Sequence, residues 1–317
     1  MFEKLMSLQA LSSTRIWLYD HHPFHSKTDW YTFLTKMTTK ITDNDTSERA
    51  AAVSFSLILA VFPTIIFLFT LIPYVPLANL QARIMSFLGR VLPGDTFRSV
   101  ETTMLDIISR PRSGILSLGF LLALYSATSG LVALMNAFAT SHESEDKRGF
   151  LTIRAVAVGL TFTLALALLL AIVVLLIGGV VSSYLLRIGI LNNPLFVTLL
   201  SLARYGVVFG VFVGAVSVIY RYGPGVAMNW KLVSPGAVLA SGLIVLTTLG
   251  FSYYVSNFGS YNKLYGSIGT LIALMIWINL ISLLLILGFD MNVALYNLEG
   301  GKTPNPNAKT TATSREP

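Results

Sequence analysis

The chain has 317 residues, 54% hydrophobic and 12% charged, with a mean hydropathy of +0.70 and a formal net charge of +7. Soluble chains carry about 25% charged residues, so lipid is the solvent for much of this one. Its lack of cysteine excludes disulfides, thiolate nucleophiles and cysteine metal sites. The positive charge is explained by loop Lys and Arg and by anionic head groups, without nucleic acid as a partner.

Residues 1–49 read as a cytoplasmic segment with no cleavable leader, because no apolar run of the required length occurs before about Ala50. His21, His22 and His25 beside Asp20 do not make a metal site, since Pro23 breaks the local helix and no second ligand set is present. "DWYTFLTKMTTKI" at 29–41 places Trp30, Phe33, Leu34, Met37 and Ile41 on one face, a juxtamembrane amphipathic helix. "DNDTSER" at 43–49 supplies a cap and acidic residues to the next helix. It lacks the glycine and terminal glutamate of a calcium loop.

Six stretches reach the roughly 20 apolar residues that a spanning helix needs. They are 50–72, 114–139, 155–183, 195–220, 232–256 and 266–296. The fold class is therefore all-α, a polytopic membrane protein with a six-helix transmembrane domain over 50–296. An outer loop at 73–113 adds amphipathic interfacial helices, and 297–317 is a polar, disordered cytoplasmic tail. With both termini cytoplasmic, fourteen Lys and Arg fall inside and seven outside, with Arg204 within the fourth span. That bias favours N-in, C-in. In the outer loop, "PGD" at 93–95 divides two helical runs, which lie either in the interface or back over the bundle as a lid.

Inside the membrane, Gly206, Gly210 and Gly214 form a tandem GxxxG, and Ala52, Ser56 and Ala60 repeat the spacing in the first span. Both read first as packing seams within the bundle, with a homo-oligomer through the GxxxG face as the alternative. Pro63 should kink the first span. Arg204 either snorkels to the outer interface, or lines a polar cavity or binds an anionic head group. Asn279 and Asp290 are eleven residues apart, about 20° around a helix, and Ser282 lies near their face. This inward polar stripe reads foremost as a structural ion pair of Asp290 with Arg49, Arg154 or Arg221. The short hairpin expected at Tyr254–Gly269 brings Tyr254, Tyr261 and Tyr265 to an aromatic belt, with Asn262 and Lys263 at its tip and Gly266 allowing close helix approach. No nucleophile, base and orienting group occur together, and no phosphate-cradling loop is present, so neither an enzyme nor a cofactor is expected.

Several stretches resemble the YihY/BrkB family of bacterial inner-membrane proteins. They are "RAAAVSFSLILAVFP" at 49–63, "SLGFLLALYSATSGLVALMNAF" at 117–138, "KRGF" at 147–150, and above all 222–295. In that last region the ordered set is Pro224, Trp230, Pro235, Gly236, Phe251, Tyr254, Tyr261, Tyr265, Gly266, Trp277, Gly288 and Asn292. The resemblance covers about 30–298. Asp290 stands where the family usually has Glu, and 139–142 also departs from its pattern. The resemblance implies a six-span, N-in, C-in inner-membrane protein. Some members have carried a ribonuclease label, for which the residues here supply no chemistry, and others are linked to serum resistance and envelope properties. A transporter-like or lipid- and envelope-handling protein is the expected function, acting on a small-molecule or lipid substrate. A scaffolding envelope protein is the alternative and a ribonuclease a distant third. Membrane lipids are the expected partners.

Overall fold

A computed structural model describes residues 44–74, 80–91, 94–109, 113–141, 148–187, 194–225, 233–257 and 259–298, together with Thr35 and Thr38. Every regular element among the described residues is helical. Six helices are long and apolar enough to cross a membrane. They are α1 (Asn44–Leu71), α4 (Ser113–Ser141), α5 (Phe150–Arg187), α6 (Pro194–Tyr222), α7 (Pro235–Asn257) and α8 (Gly259–Leu298). Two short helices, α2 (Leu80–Val91) and α3 (Gly94–Ser109), separate α1 from α4. The chain is an all-α, multi-pass membrane protein, as its composition and apolar runs predict.

The first span starts earlier than its apolar run suggests. Asn44–Arg49 is already helical, and Thr46 is buried, so the polar stretch is the helix's first turns as well as its lead-in. The helix continues through Pro63, whose missing N–H leaves the Leu59 carbonyl without its usual donor. A single 3-10 turn, Ile72–Tyr74, then ends it.

Small residues decide how α1 meets α4. A Cβ on Gly130 would stand 2.5 Å from Leu57 Cδ2, and one on Gly119 would stand 3.6 Å from the Phe67 Cα. Leu57 therefore seats in a hole that only glycine leaves. The seam expected at Ala52, Ser56 and Ala60 is corrected accordingly. Ala52 is exposed and Ser56 bonds its own Ala52 carbonyl at 3.1 Å, while Ala50, Val53, Ser54, Ile58 and Ala60 are the buried positions.

Of the amphipathic pair, α2 ends at Val91 and α3 starts at Gly94, inside the expected "PGD". A Cβ on Gly89 of α2 would stand 3.6 Å from the Phe97 ring of α3; α2 touches the 3-10 turn, and α3 touches both that turn and α1. At the other end of the chain, α8 has 40 residues. That is about 60 Å of helix, twice the ~30 Å hydrocarbon core.

The expected hairpin at Tyr254–Gly269 is shorter than predicted. α7 runs to Asn257 and α8 begins at Gly259, so "GSYNKLYGSIG" is helical rather than looped. It contains no proline, and each residue added to an existing helix gains one backbone bond. The expectations for His21, His22, His25, nearly all of 29–41, and the tail beyond Leu298 lie outside the described residues.

Candidate functional site

The most enclosed part of the molecule is where α7 starts and α8 ends. Ser234 is the N-cap of α7, Pro235 its first residue and Gly236 its second. The first-turn donors are then fully accounted for. Pro235 has no N–H, Gly236 N donates to Asn292 Oδ1 at 2.8 Å, Ala237 N donates to Ser234 Oγ at 3.3 Å, and Val238 N donates to the Ser234 carbonyl at 3.2 Å. Asn292 Nδ2 closes the loop by donating to Ser234 Oγ at 2.7 Å. One α8 side chain thus pins the start of α7 with both ends of its amide.

This pinning requires bare backbones. A Cβ on Gly236 would collide with the Gly288 carbonyl and stand 2.6 Å from Asn292 Oδ1. One on Gly288 would stand 2.6 Å from both Ala240 Cβ and the Tyr220 hydroxyl. Around the crossing, Phe138 stacks on Phe289 at 4.3 Å between centroids, and Tyr220 meets both rings edge-on at 5.6 and 5.8 Å. The Tyr220 hydroxyl donates to the Leu285 carbonyl at 2.7 Å. α4, α6, α7 and α8 are locked together here.

Asp290 lies in this region, 4% exposed on a stretch of α8 buried from Ile286 to Val293. Its carboxylate is within electrostatic reach of Tyr220. Ser241, one turn and more along α7 from Gly236, is fully buried, and its hydroxyl has no hydrogen-bond partner among the described residues.

The other predicted residues are distributed rather than gathered. Asn279 Nδ2 donates to Ser54 Oγ at 3.3 Å, tying α8 to α1. Ser282, fully buried, donates to its own Ile278 carbonyl at 2.8 Å. Arg49 pairs with Asp45 at 3.1 Å and donates to the Ala137 carbonyl, to Ser141 Oγ and to Thr46 Oγ1, so it caps the C-terminal end of α4. Arg154 donates to Thr128 Oγ1 and Ser129 Oγ and lies over the Tyr125 ring. Arg204 lies against α5 at Gly178 and Gly179, on the opposite half of α6 from Tyr220. Arg204 therefore stands apart, while Asn279, Ser282 and Asp290 follow one another along α8.

The GxxxG face also differs from its expected role within the bundle. A Cβ on Gly206, Gly210 or Gly214 would meet nothing within 4 Å. No neighbouring helix occupies that seam among the described residues. The glycines that do carry close contacts, Gly130, Gly236 and Gly288, sit in no GxxxG pattern. Of the hairpin signature, Tyr254 is exposed and stacks on Phe251, which stacks in turn on Trp277. Trp277 Nε1 donates to Thr248 Oγ1 at 3.3 Å. Tyr261, Asn262, Tyr265 and Gly266 lie in the first turns of α8, with side chains outside the described set. The Asn292 clamp was missed from sequence, although "SPG" followed by a distant Gly-x-x-x-Asn carried its signal.

The family described as Virulence factor BrkB matches residues 37–312. A relative from Bacillus subtilis (strain 168), named "Putative ribonuclease-like protein YfkH", is 32% identical over 279 residues, 86% of this chain and 98% of its own length. A UPF0761 membrane protein of Psychrobacter sp. (strain PRwf-1) is 24% identical over 286 residues, 86% of this chain and 50% of its own. Another, from Pseudoalteromonas translucida (strain TAC 125), is 33% identical over 97 residues, 31% of each chain. No solved structure matches. The match spans every transmembrane helix and the Asn292 clamp, and the chain belongs to the BrkB virulence-factor family of multi-pass membrane proteins.

Proposed function

We propose that this protein is a transporter-like or lipid- and envelope-handling protein of the bacterial inner membrane, with both termini cytoplasmic. The observation that carries the reading is Asp290, an ionisable side chain 4% exposed inside a spanning helix. Ionisable groups at that depth are expensive and concentrate on substrate, ion and proton paths. The partnerless hydroxyl of Ser241 supports it, because buried polar groups are otherwise hydrogen-bonded. The orientation rests on the Lys and Arg bias of the loops. The ribonuclease-like name belongs to the Bacillus relative, and among the described residues no cluster of three or more His, Asp or Glu could hold a metal ion for such chemistry.

The test is reconstitution of purified protein into vesicles carrying labelled lipids, ions or envelope precursors. Lipid or solute movement that falls in Asp290→Asn, with the variant still monodisperse, is the expected result. No movement of any probe by the wild type would sink the reading.

A second reading, an assembly or scaffolding role, is favoured by α5 and by the bare Gly206–Gly214 face. None of the most apolar stretch of α5 is buried. This reading expects a second copy or a stable partner to co-purify through that side, and Asp290→Asn to alter stability alone.

A further inference from the structure

Arg204 lies ten residues into α6, about 15 Å from its Pro194 end. The 29-residue helix is about 43 Å long against a ~30 Å core, so when centred it carries Arg204 roughly 8 Å inside the hydrocarbon. A guanidinium at that depth needs an anion or a dense set of acceptors. Arg204 has neither among the described residues. Nη2 reaches only the Tyr205 hydroxyl at 3.4 Å, the guanidinium lies 5.0 Å from the Tyr205 ring, and Nε is buried with no acceptor.

The neighbouring helix is shaped to receive this side chain. A Cβ on Gly178 would stand 2.5 Å from Arg204 Cδ and 3.1 Å from Cγ, and one on Gly179 would stand 3.6 Å from Nη1. The glycine pair is a notch through which the arginine stem crosses α5. Gly179, which Arg204 Nη1 approaches, also borders an open crevice of about 520 Å³ on α5. It is lined by Leu175 and Leu176 before Gly179 and by Val180, Ser183 and Tyr184 after it. At Gly179 a cation short of acceptors thus reaches one edge of an apolar trough that also carries the Ser183 and Tyr184 hydroxyls.

We propose that this notch binds the phosphate of an anionic glycerophospholipid, with an acyl chain lying along the Leu175–Val180 face. The phosphate would supply the acceptors that Arg204 Nε and Nη1 lack, and charge-assisted bonds of this kind are the strong ones. The proposal rests on the lipid-handling reading and names its substrate class. A phosphate held 8 Å below the head-group level is displaced inward, as a lipid on a path across the membrane must be.

The experiment is native mass spectrometry of the full-length protein, delipidated and then incubated with phosphatidylglycerol, phosphatidylcholine, oleate or inorganic phosphate. Phosphatidylglycerol should be retained over phosphatidylcholine by at least about tenfold, because the choline ammonium neutralises the phosphate and repels the guanidinium that would bind it. Arg204→Gln should abolish that preference and Arg204→Lys should keep most of it. Ser183→Trp, which fills the crevice from an exposed position and leaves Arg204 intact, should reduce retention to the same degree. Should Arg204→Gln fail to fold, Ser183→Trp decides alone. Equal retention of the two phospholipids, an unchanged preference in either loss variant, or competition by oleate or phosphate as effective as phosphatidylglycerol would overturn the site. Selective retention with no lipid movement in vesicles would overturn the transport reading and leave the site standing. Movement without selective retention would do the reverse.

Discussion

The α7–α8 crossing and the α5–α6 pair are built from the same materials, glycine, leucine and an isolated charge, yet they end in opposite states. At the crossing, Gly236 and Gly288 are consumed by backbone contact, and Asn292 satisfies the helix start beside them. In the α5–α6 pair, Gly206, Gly210 and Gly214 touch nothing nearby, and Gly178 and Gly179 receive a side chain instead of a helix. The difference lies in what the glycines are flanked by. Ser234 and Asn292 provide directional bonds that hold two backbones at close range, and in lipid such bonds and close packing replace the hydrophobic drive between helices. Gly206, Gly210 and Gly214 have no such bonds beside them, and their mostly apolar neighbours are solvated by lipid tails as well as by protein.

The largest expected effect comes from breaking the crossing. Gly236→Leu should place a side chain into the Gly288 carbonyl, a backbone atom that has no rotamer to adopt. Overpacking of that kind costs about 1–3 kcal/mol where neighbours can shift, and more where they cannot. Gly236→Leu should therefore be recovered only as aggregate in detergent size-exclusion, and an ordinary monodisperse yield would show that the crossing is not the hub. Next is Phe138→Ala, which removes a ring stacked on Phe289 and edge-on to Tyr220. A loss of about 3–5 kcal/mol, typical of Phe→Ala in a core, should appear as a large fall in thermal midpoint.

Smaller still is Asn292→Ala. It orphans the Gly236 N–H and removes the donor to Ser234 Oγ, for about 1–3 kcal/mol. Ser234→Ala should cost less, since Asn292 keeps its bond to Gly236. If the order of these two midpoints is reversed, the clamp is centred on the cap and not on the amide.

The legible part of this molecule was what hydropathy and charge report. All six spans were readable because a bilayer demands about 20 apolar residues in a row, and "PGD" at 93–95 announced the break between α2 and α3. Contacts were not readable in the same way. Gly206, Gly210 and Gly214 satisfy the GxxxG pattern and have an empty face, while Gly130, outside any GxxxG, holds Leu57. A spacing rule describes one helix surface, and packing is a property of two. Ser282 and Asp290 of the polar stripe are buried, as an inward face requires, but spacing did not name the stripe's partners. Asn279, Ser282 and Asp290 share a helical face, but α1 takes Asn279, the backbone takes Ser282, and Asp290 lies by Tyr220. Arg204 was visible as an anomaly, yet its notch comes from Gly178 and Gly179, 25 or more residues away on another helix.

The smallest expected effect is the most discriminating one. Gly210→Leu adds four carbons to the centre of the bare face, where a Cβ meets nothing within 4 Å. Within one chain it should leave the thermal midpoint nearly unchanged, inside the ~0.5 kcal/mol that surface substitutions usually produce. Replacing glycine in a helix interior by a good helix former should, if anything, add up to ~1 kcal/mol. The face is therefore silent to any assay of the isolated chain, and an effect can arise only from something that docks there. Crosslinking in native membranes separates the cases. If the wild type crosslinks to a second copy and Gly210→Leu does not, with equal thermal midpoints, the openness of α6 is an interface and the α5–α6 side joins two chains. If neither crosslinks, the face meets lipid alone, and the contrast with the α7–α8 crossing is one between protein-packed and lipid-packed glycine. If the midpoint itself falls by more than ~1 kcal/mol with no change in crosslinking, a neighbour within the chain occupies the seam, and the contrast between the two regions is lost.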